Sequence, residues 1–128
     1  MVDKKFLIRQ DATLREAVTQ MNEFGLKCVF LLNSKNELIA SLSDGDIRRS
    51  YEQDLSSAAN AIDIANTNFR SLQKGYIDLE AQKLSETYGI EIIPVLQGDV
   101  LIDFYFSEKG KIREDAIETT VLIMAGGF

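Results

Sequence analysis

The first clear pattern along the chain is helical. Leu14, Ala17, Val18, Met21 and Phe24 recur at steps of 3, 1, 3 and 3, which puts them on one face of a helix. Thr13 followed by Glu16 is a capping box, in which hydroxyl and carboxylate each satisfy an amide left over at the helix start. Gly25 stands where a left-handed C-terminal cap belongs. The spacing predicts a helix over about 13–24. Before it, Phe6-Leu7-Ile8 reads as a short strand. After it, the unbroken apolar run Cys28-Val29-Phe30-Leu31-Leu32 predicts a buried strand. Asn33 to Glu37 is turn chemistry, and Leu38 to Leu42 predicts the second strand of a hairpin. Asp44 is then placed to cap a helix running through Ile47 to about Glu52. The unit reads strand, helix, strand, strand, helix.

The pattern returns further along. Ile77, Ala81, Leu84 and Tyr88 step by 4, 3 and 4, and Gly89 closes that helix as Gly25 closes the first. Ile90 to Leu96 is a strand, Gln97-Gly98-Asp99 a turn, and Val100 to Phe106 another strand. Setting Gly25 on Gly89 gives an offset of 64, which carries Glu16-Ala17 onto Glu80-Ala81 and Phe24-Gly25-Leu26 onto Tyr88-Gly89-Ile90. A repeat of this length means two equivalent units burying a shared face. The expected fold is α+β with α/β-like layers, built from two tandem β-α-β-β-α repeats over 1–60 and 61–108. Within the connection at 53–68, the Ala- and Ser-rich stretch 54–65 suits a short helix. Residues 109–120 read as a polar linker, and 121–128 as a strand entering a glycine-rich turn.

Composition removes whole classes of chemistry. The 128 residues contain no His, which excludes a Ser-His-Asp triad, a Cys-His nucleophile and any His-ligated metal. A single Cys permits no internal disulfide and cannot build a thiolate zinc site, and it fits a reducing cytoplasm. Twenty acids against fourteen bases give a net charge of −6, which argues against nucleic acid as a partner. No apolar run approaches the roughly 20 residues of a membrane span, and no apolar stretch follows the N-terminus as in a signal peptide. A cytoplasmic protein with no membrane partner is expected.

The chemistry that remains gathers at Ala40-Ser41-Leu42-Ser43-Asp44-Gly45-Asp46-Ile47-Arg48-Arg49. This stretch leads from a strand's end into a helix N-terminus, where free amides and the helix dipole favour an anion. Asp46, in the first turn, can accept two hydroxyl donors. Arg48 and Arg49 add phosphate-pairing capacity. A plainer reading stands beside this one: Ser43 and Asp44 as caps, Asp46 as an acid favourable to the dipole, and two solvated arginines. Asp44-Gly45-Asp46 does not open a calcium loop, because the position eleven residues after Asp44 is Leu55 rather than an acid.

The repeat over about 6–108 resembles a pair of CBS domains, the Bateman module. The family pattern at the junction is Gly, two apolar residues, Thr or Ser, two residues, Asp. This sequence keeps Ser43 and Asp46 and has Ala40 for the Gly. The resemblance implies two repeats related by a pseudo-twofold axis and a regulatory adenine nucleotide (AMP, ADP or ATP). Asp46 would take both ribose hydroxyls, and Ser43 the ribose or first phosphate. Asp44, Arg48 and Arg49 complete the polar side of the implied site. Cys28, Val29 and Phe30 would form the adenine wall, with Phe30 where the family often has Pro; the second unit keeps Ile93-Pro94-Val95. The second copy departs from the pattern: Tyr105 and Glu108, or Phe106 and Lys109 after a one-residue shift, replace the hydroxyl and the acid. Such pairs commonly associate through their helices, so a homodimer is expected.

Val121 to Phe128 resembles the opening of a sugar-phosphate nucleotidyltransferase, whose first strand leads into Gly-Gly-x-Gly-Thr-Arg-Leu. Gly126 and Gly127 match its start. The expectation is an N-terminal CBS-pair fragment, not itself an enzyme, whose partner is its own C-terminal nucleotidyltransferase domain. The alternatives are a ligand-free dimerisation module of the same parent, and the CBS pair of a sugar-phosphate isomerase.

Overall fold

The structure is a computed structural model and describes residues 3–53, 59–108, 110 and 111. Asp3–Phe69 forms one compact unit, and the residues from Arg70 onward belong to another.

In the first unit, Lys4–Phe6 makes a single 3-10 turn that leads into β1, Leu7–Arg9. Phe6 therefore belongs to the turn and not to the strand, and its ring is buried. The expected capping box starts α1, Leu14–Phe24: Glu16 Oε1 accepts from Thr13 N at 3.0 Å, and Glu16 N donates to Thr13 Oγ1 at 3.1 Å. Hydrogen bonds from the Thr13 amide and then its hydroxyl hold the Glu16 carboxyl below its ordinary value. A depressed pKa means that this contribution is present at neutral pH and is lost as pH falls through the lowered value. Gly25 ends α1 at φ 66°, a conformation that costs a residue with a side chain more.

β2, Cys28–Leu32, is the central strand, parallel to β1 and antiparallel to β3, Leu38–Ser43. Covered on both faces, it buries Val29, Phe30, Leu31 and Leu32, as an unbroken apolar run should. β3 alternates instead, with Leu38, Ala40 and Leu42 turned inward. α2, Asp44–Glu52, follows directly. Its N-cap is Ser43 rather than Asp44, which is the first helical residue. The connection folds back onto this unit: Leu14 N donates to Ala59 O at 2.7 Å, and Ser41 and Asn66 exchange backbone hydrogen bonds of 3.0 and 2.7 Å. Residues 61–69 thus pack with the first unit, not the second. Of the stretch 54–65, where a short helix is expected, residues 59–65 hold a 3-10 turn at Ala61–Asp63, and 54–58 lie outside the described residues.

The second unit repeats the first at the expected offset. α3, Asp78–Tyr88, lies 64 positions after α1, and Gly89 ends it at φ 64°. A short strand absent from the sequence reading, β4 at Leu72–Gln73, pairs parallel with β5, Ile92–Gln97. Leu72 pairs with Val95 just as Ile8, 64 positions earlier, pairs with Leu31. Even the ladder irregularity recurs, between Leu31 and Leu32 and again between Val95 and Leu96. β6, Val100–Phe106, completes the sheet antiparallel to β5. Its core is Leu72, Ala81, Ile93 and Val95, with Tyr76, Leu84 and Tyr105 packed against it. The expected linker at 109–120 and strand at 121–128 lie outside the described residues, apart from Gly110 and Lys111, which are helical.

Candidate functional site

The strand-to-helix junction of the first unit brings the motif together. Ser43 ends β3 directly opposite Cys28 on β2. Its hydroxyl accepts from Asp46 N at 3.3 Å and donates to Asp46 Oδ2 at 3.0 Å, while Ser43 N donates to the same oxygen at 2.9 Å. This second capping box anchors α2. The other carboxylate oxygen, Oδ1, accepts a hydrogen bond and ion pair from Arg49 Nη2, one helical turn on. Asp46 is thereby 12% exposed and Arg49 63%. Asp46 completes the capping box and is also a preorganised acceptor, held by three donors at a helix N-terminus.

The remaining candidates divide. Asp44 N donates to Lys27 O at 3.0 Å, which ties the helix start to the segment just before β2. Asp44 and Arg48 are exposed beside the junction. Cys28 is half-buried next to Ser43. Val29 and Phe30, expected as an adenine wall, are 0% and 3% exposed: the central position of β2 commits their side chains to the core. Gly45, quoted in the motif without a role of its own, takes part in the site as well. A β-carbon there would stand 3.4 Å from Arg49 Nη1, so the guanidinium lies close over this glycine. A glycine between two acids in a helix's first turn is the signal that pointed to it.

The second unit is built differently at the same place. By strand register, Phe106 opposite Ile92 stands where Ser43 stands opposite Cys28. The hydroxyl cap is not lost, as had been expected, but moves one residue on. Ser107 Oγ accepts from Gly110 N at 3.0 Å, as Ser43 Oγ accepts from Asp46 N. The cap-plus-three position is therefore Gly110, not Glu108 or Lys109, and it has no carboxylate. A β-carbon on Gly110 would fall 2.4 Å from the Glu91 carbonyl oxygen, which already accepts from Ser107 N. A cavity of about 590 Å³ adjoins this turn, lined by Asp78, Glu86, Glu91, Tyr105, Glu108 and Lys111. Burial, and then the charges of Asp78, Glu108 and Glu86, push the Tyr105 hydroxyl above its ordinary pKa. Such a lining repels a phosphate.

Among the described residues, no group of three or more His, Cys, Asp or Glu side chains is arranged to hold a metal, and no helix is long and apolar enough to cross a membrane.

No family model matches the chain. Two uncharacterised proteins of Helicobacter pylori are 31% and 30% identical to it over 88 residues, which is 68% of this chain. The chain spans about a quarter of the length of these relatives, 27% being matched. Among solved structures, AcuB from Vibrio cholerae superposes with a TM-score of 0.77 at 17% identity, covering 98% of this chain and 92% of that one. A CBS domain protein from Pyrobaculum aerophilum complexed with AMP gives 0.69 at 18% identity, covering 86% and 90%. The β-α-β-β-α unit of this chain and the β-α-β-β unit that follows it, counted over the described elements, thus have the fold of CBS-domain proteins.

Proposed function

We propose that this chain is a regulatory CBS pair that binds one adenine nucleotide at the β3–α2 junction and adjusts a catalytic domain elsewhere in the same protein. The observation that carries this reading is Asp46. It is a carboxylate aimed by Ser43 at a helix N-terminus, beside Arg48, Arg49 and the half-buried Cys28. AMP bound to a protein of the same fold supports the choice of ligand. Calorimetry with AMP, ADP and ATP is expected to show one site per chain and to lose it in Asp46→Ala. A hydrogen bond to a charged group contributes about 1.5–3 kcal/mol, so a weak site drops below detection. Absence of heat with all three nucleotides at millimolar concentration would overturn the reading.

The resemblance of Val121 to Phe128 to the opening of a sugar-phosphate nucleotidyltransferase supports such an enzyme as the domain under control, and the single Cys supports a cytoplasmic location. The chain itself carries no catalytic role in this reading.

One observation favours a second reading, a ligand-free dimerisation module. Both Asp46 oxygens are already engaged, and Val29 and Phe30 are core residues. Either reading includes a homodimer. Ile77, Leu79 and Tyr88, on and beside α3, are 66%, 56% and 50% exposed and border one shallow depression, which supports a contact there. Sedimentation is expected to give about twice the chain's 14.4 kDa. A monomer at every concentration tested would count against the α3 contact.

A further inference from the structure

Asp46 has two oxygens with different commitments. Oδ2 is held by the Ser43 amide and hydroxyl, both on the same rigid junction. Oδ1 is held by Arg49, a long side chain that is 63% exposed and free to swing toward solvent. With the guanidinium in place, the Asp46 side chain is only 12% exposed, too little for a ribose diol to reach it. Gly45 contributes to this arrangement, since no side chain at that position separates the guanidinium from the helix start. Arg48, the neighbouring cation, makes no ion pair with Asp46 among the described residues, so the closure is specific to Arg49.

We infer that Arg49 is a specificity-determining latch: it closes Asp46 against the ribose and opens when a ligand brings a phosphate for the guanidinium to pair with. The inference rests on the nucleotide reading above. A phosphorylated nucleoside exchanges one charged partner of Arg49 for another, and a planar guanidinium pairs with phosphate through parallel hydrogen bonds. An unphosphorylated nucleoside must displace Arg49 without that compensation. The latch is weak by construction, because an exposed ion pair one turn apart shifts an equilibrium only about twofold to fivefold. It therefore discriminates between ligands without shutting the site.

Calorimetry on the whole chain with adenosine and with AMP tests this, comparing the wild type with Arg49→Met, which keeps the apolar stem and removes the charge. Arg49 is exposed, so the fold is not at stake. The expected result is adenosine binding about twofold to fivefold tighter in Arg49→Met, with the preference for AMP over adenosine falling about tenfold. Adenosine binding that is unchanged, weaker or undetected in the variant, while the wild type binds AMP, overturns the latch and leaves the nucleotide site standing. No binding of either ligand by either protein overturns the nucleotide reading and the latch with it.

Discussion

Leu31→Ala is expected to destabilise the first unit by about 2–5 kcal/mol, the range for emptying a leucine site in a packed core. Leu31 is 0% exposed on β2, the middle strand of its sheet, paired with Ile8 on one side and Ala40 on the other. Both neighbouring strands are tied to β2 by hydrogen-bonded ladders, and α1 is anchored through its capping box, so little can collapse into the space left. Denaturant titration monitored by circular dichroism gives the change in midpoint. Tyr51→Ala, at a side chain 57% exposed, is the control and should move stability by no more than about 0.5 kcal/mol. A loss under about 1 kcal/mol at Leu31 would mean that β2 is not the buried centre of its sheet.

Gly110→Asp is expected to damage the second unit rather than to give it a binding carboxylate. On sequence alone it looks like a repair, since Ser107 and an acid three positions later would restore the Ser43–Asp46 arrangement. The geometry forbids it. The new β-carbon would lie 2.4 Å from the Glu91 carbonyl oxygen, a backbone atom that cannot swing aside. Overpacking of this kind costs about 1–3 kcal/mol, and the charge would add to it among Glu91, Glu108 and Glu86. Thermal melts are expected to show a lowered transition, and calorimetry no second nucleotide site. A stable variant that gains a site would show that the glycine is dispensable.

Periodicity found α1, β2, β3, α3 and β6 with little error, because those segments carry complete signals within a few residues. The steps of Leu14 to Phe24, the Thr13–Glu16 box and the Gly25 cap all act locally. β4 escaped because Leu72–Gln73 is two residues long, too short for any period. The repeat itself would have located it, since Ile8–Arg9 moved on by 64 falls on Leu72–Gln73. Likewise, Ser43 and Asp44 are both good caps by sequence. Only the hydrogen bond from Asp46 N to Ser43 Oγ decides between them.

The polar half of the candidate site was legible for the same reason. Ser43, Asp46 and Arg49 lie within two helical turns, and their contacts follow from spacing alone. The apolar half was not. Cys28, Val29 and Phe30 are consecutive, yet the tertiary structure leaves Cys28 beside Ser43 and sinks the other two into the core, because β2 became the middle strand. The missing carboxylate of the second unit is legible in the repeat, since Ser43 and Asp46 moved on by 64 fall on Ser107 and Gly110. What is long-range is the Glu91 carbonyl, nineteen positions away, whose approach leaves no room for a side chain at Gly110. Local chemistry, written in neighbouring residues, determined the elements, the repeat and the Asp46 cap. Burial and close backbone approach, which depend on residues far apart in the chain, decided which candidate side chains reach the surface.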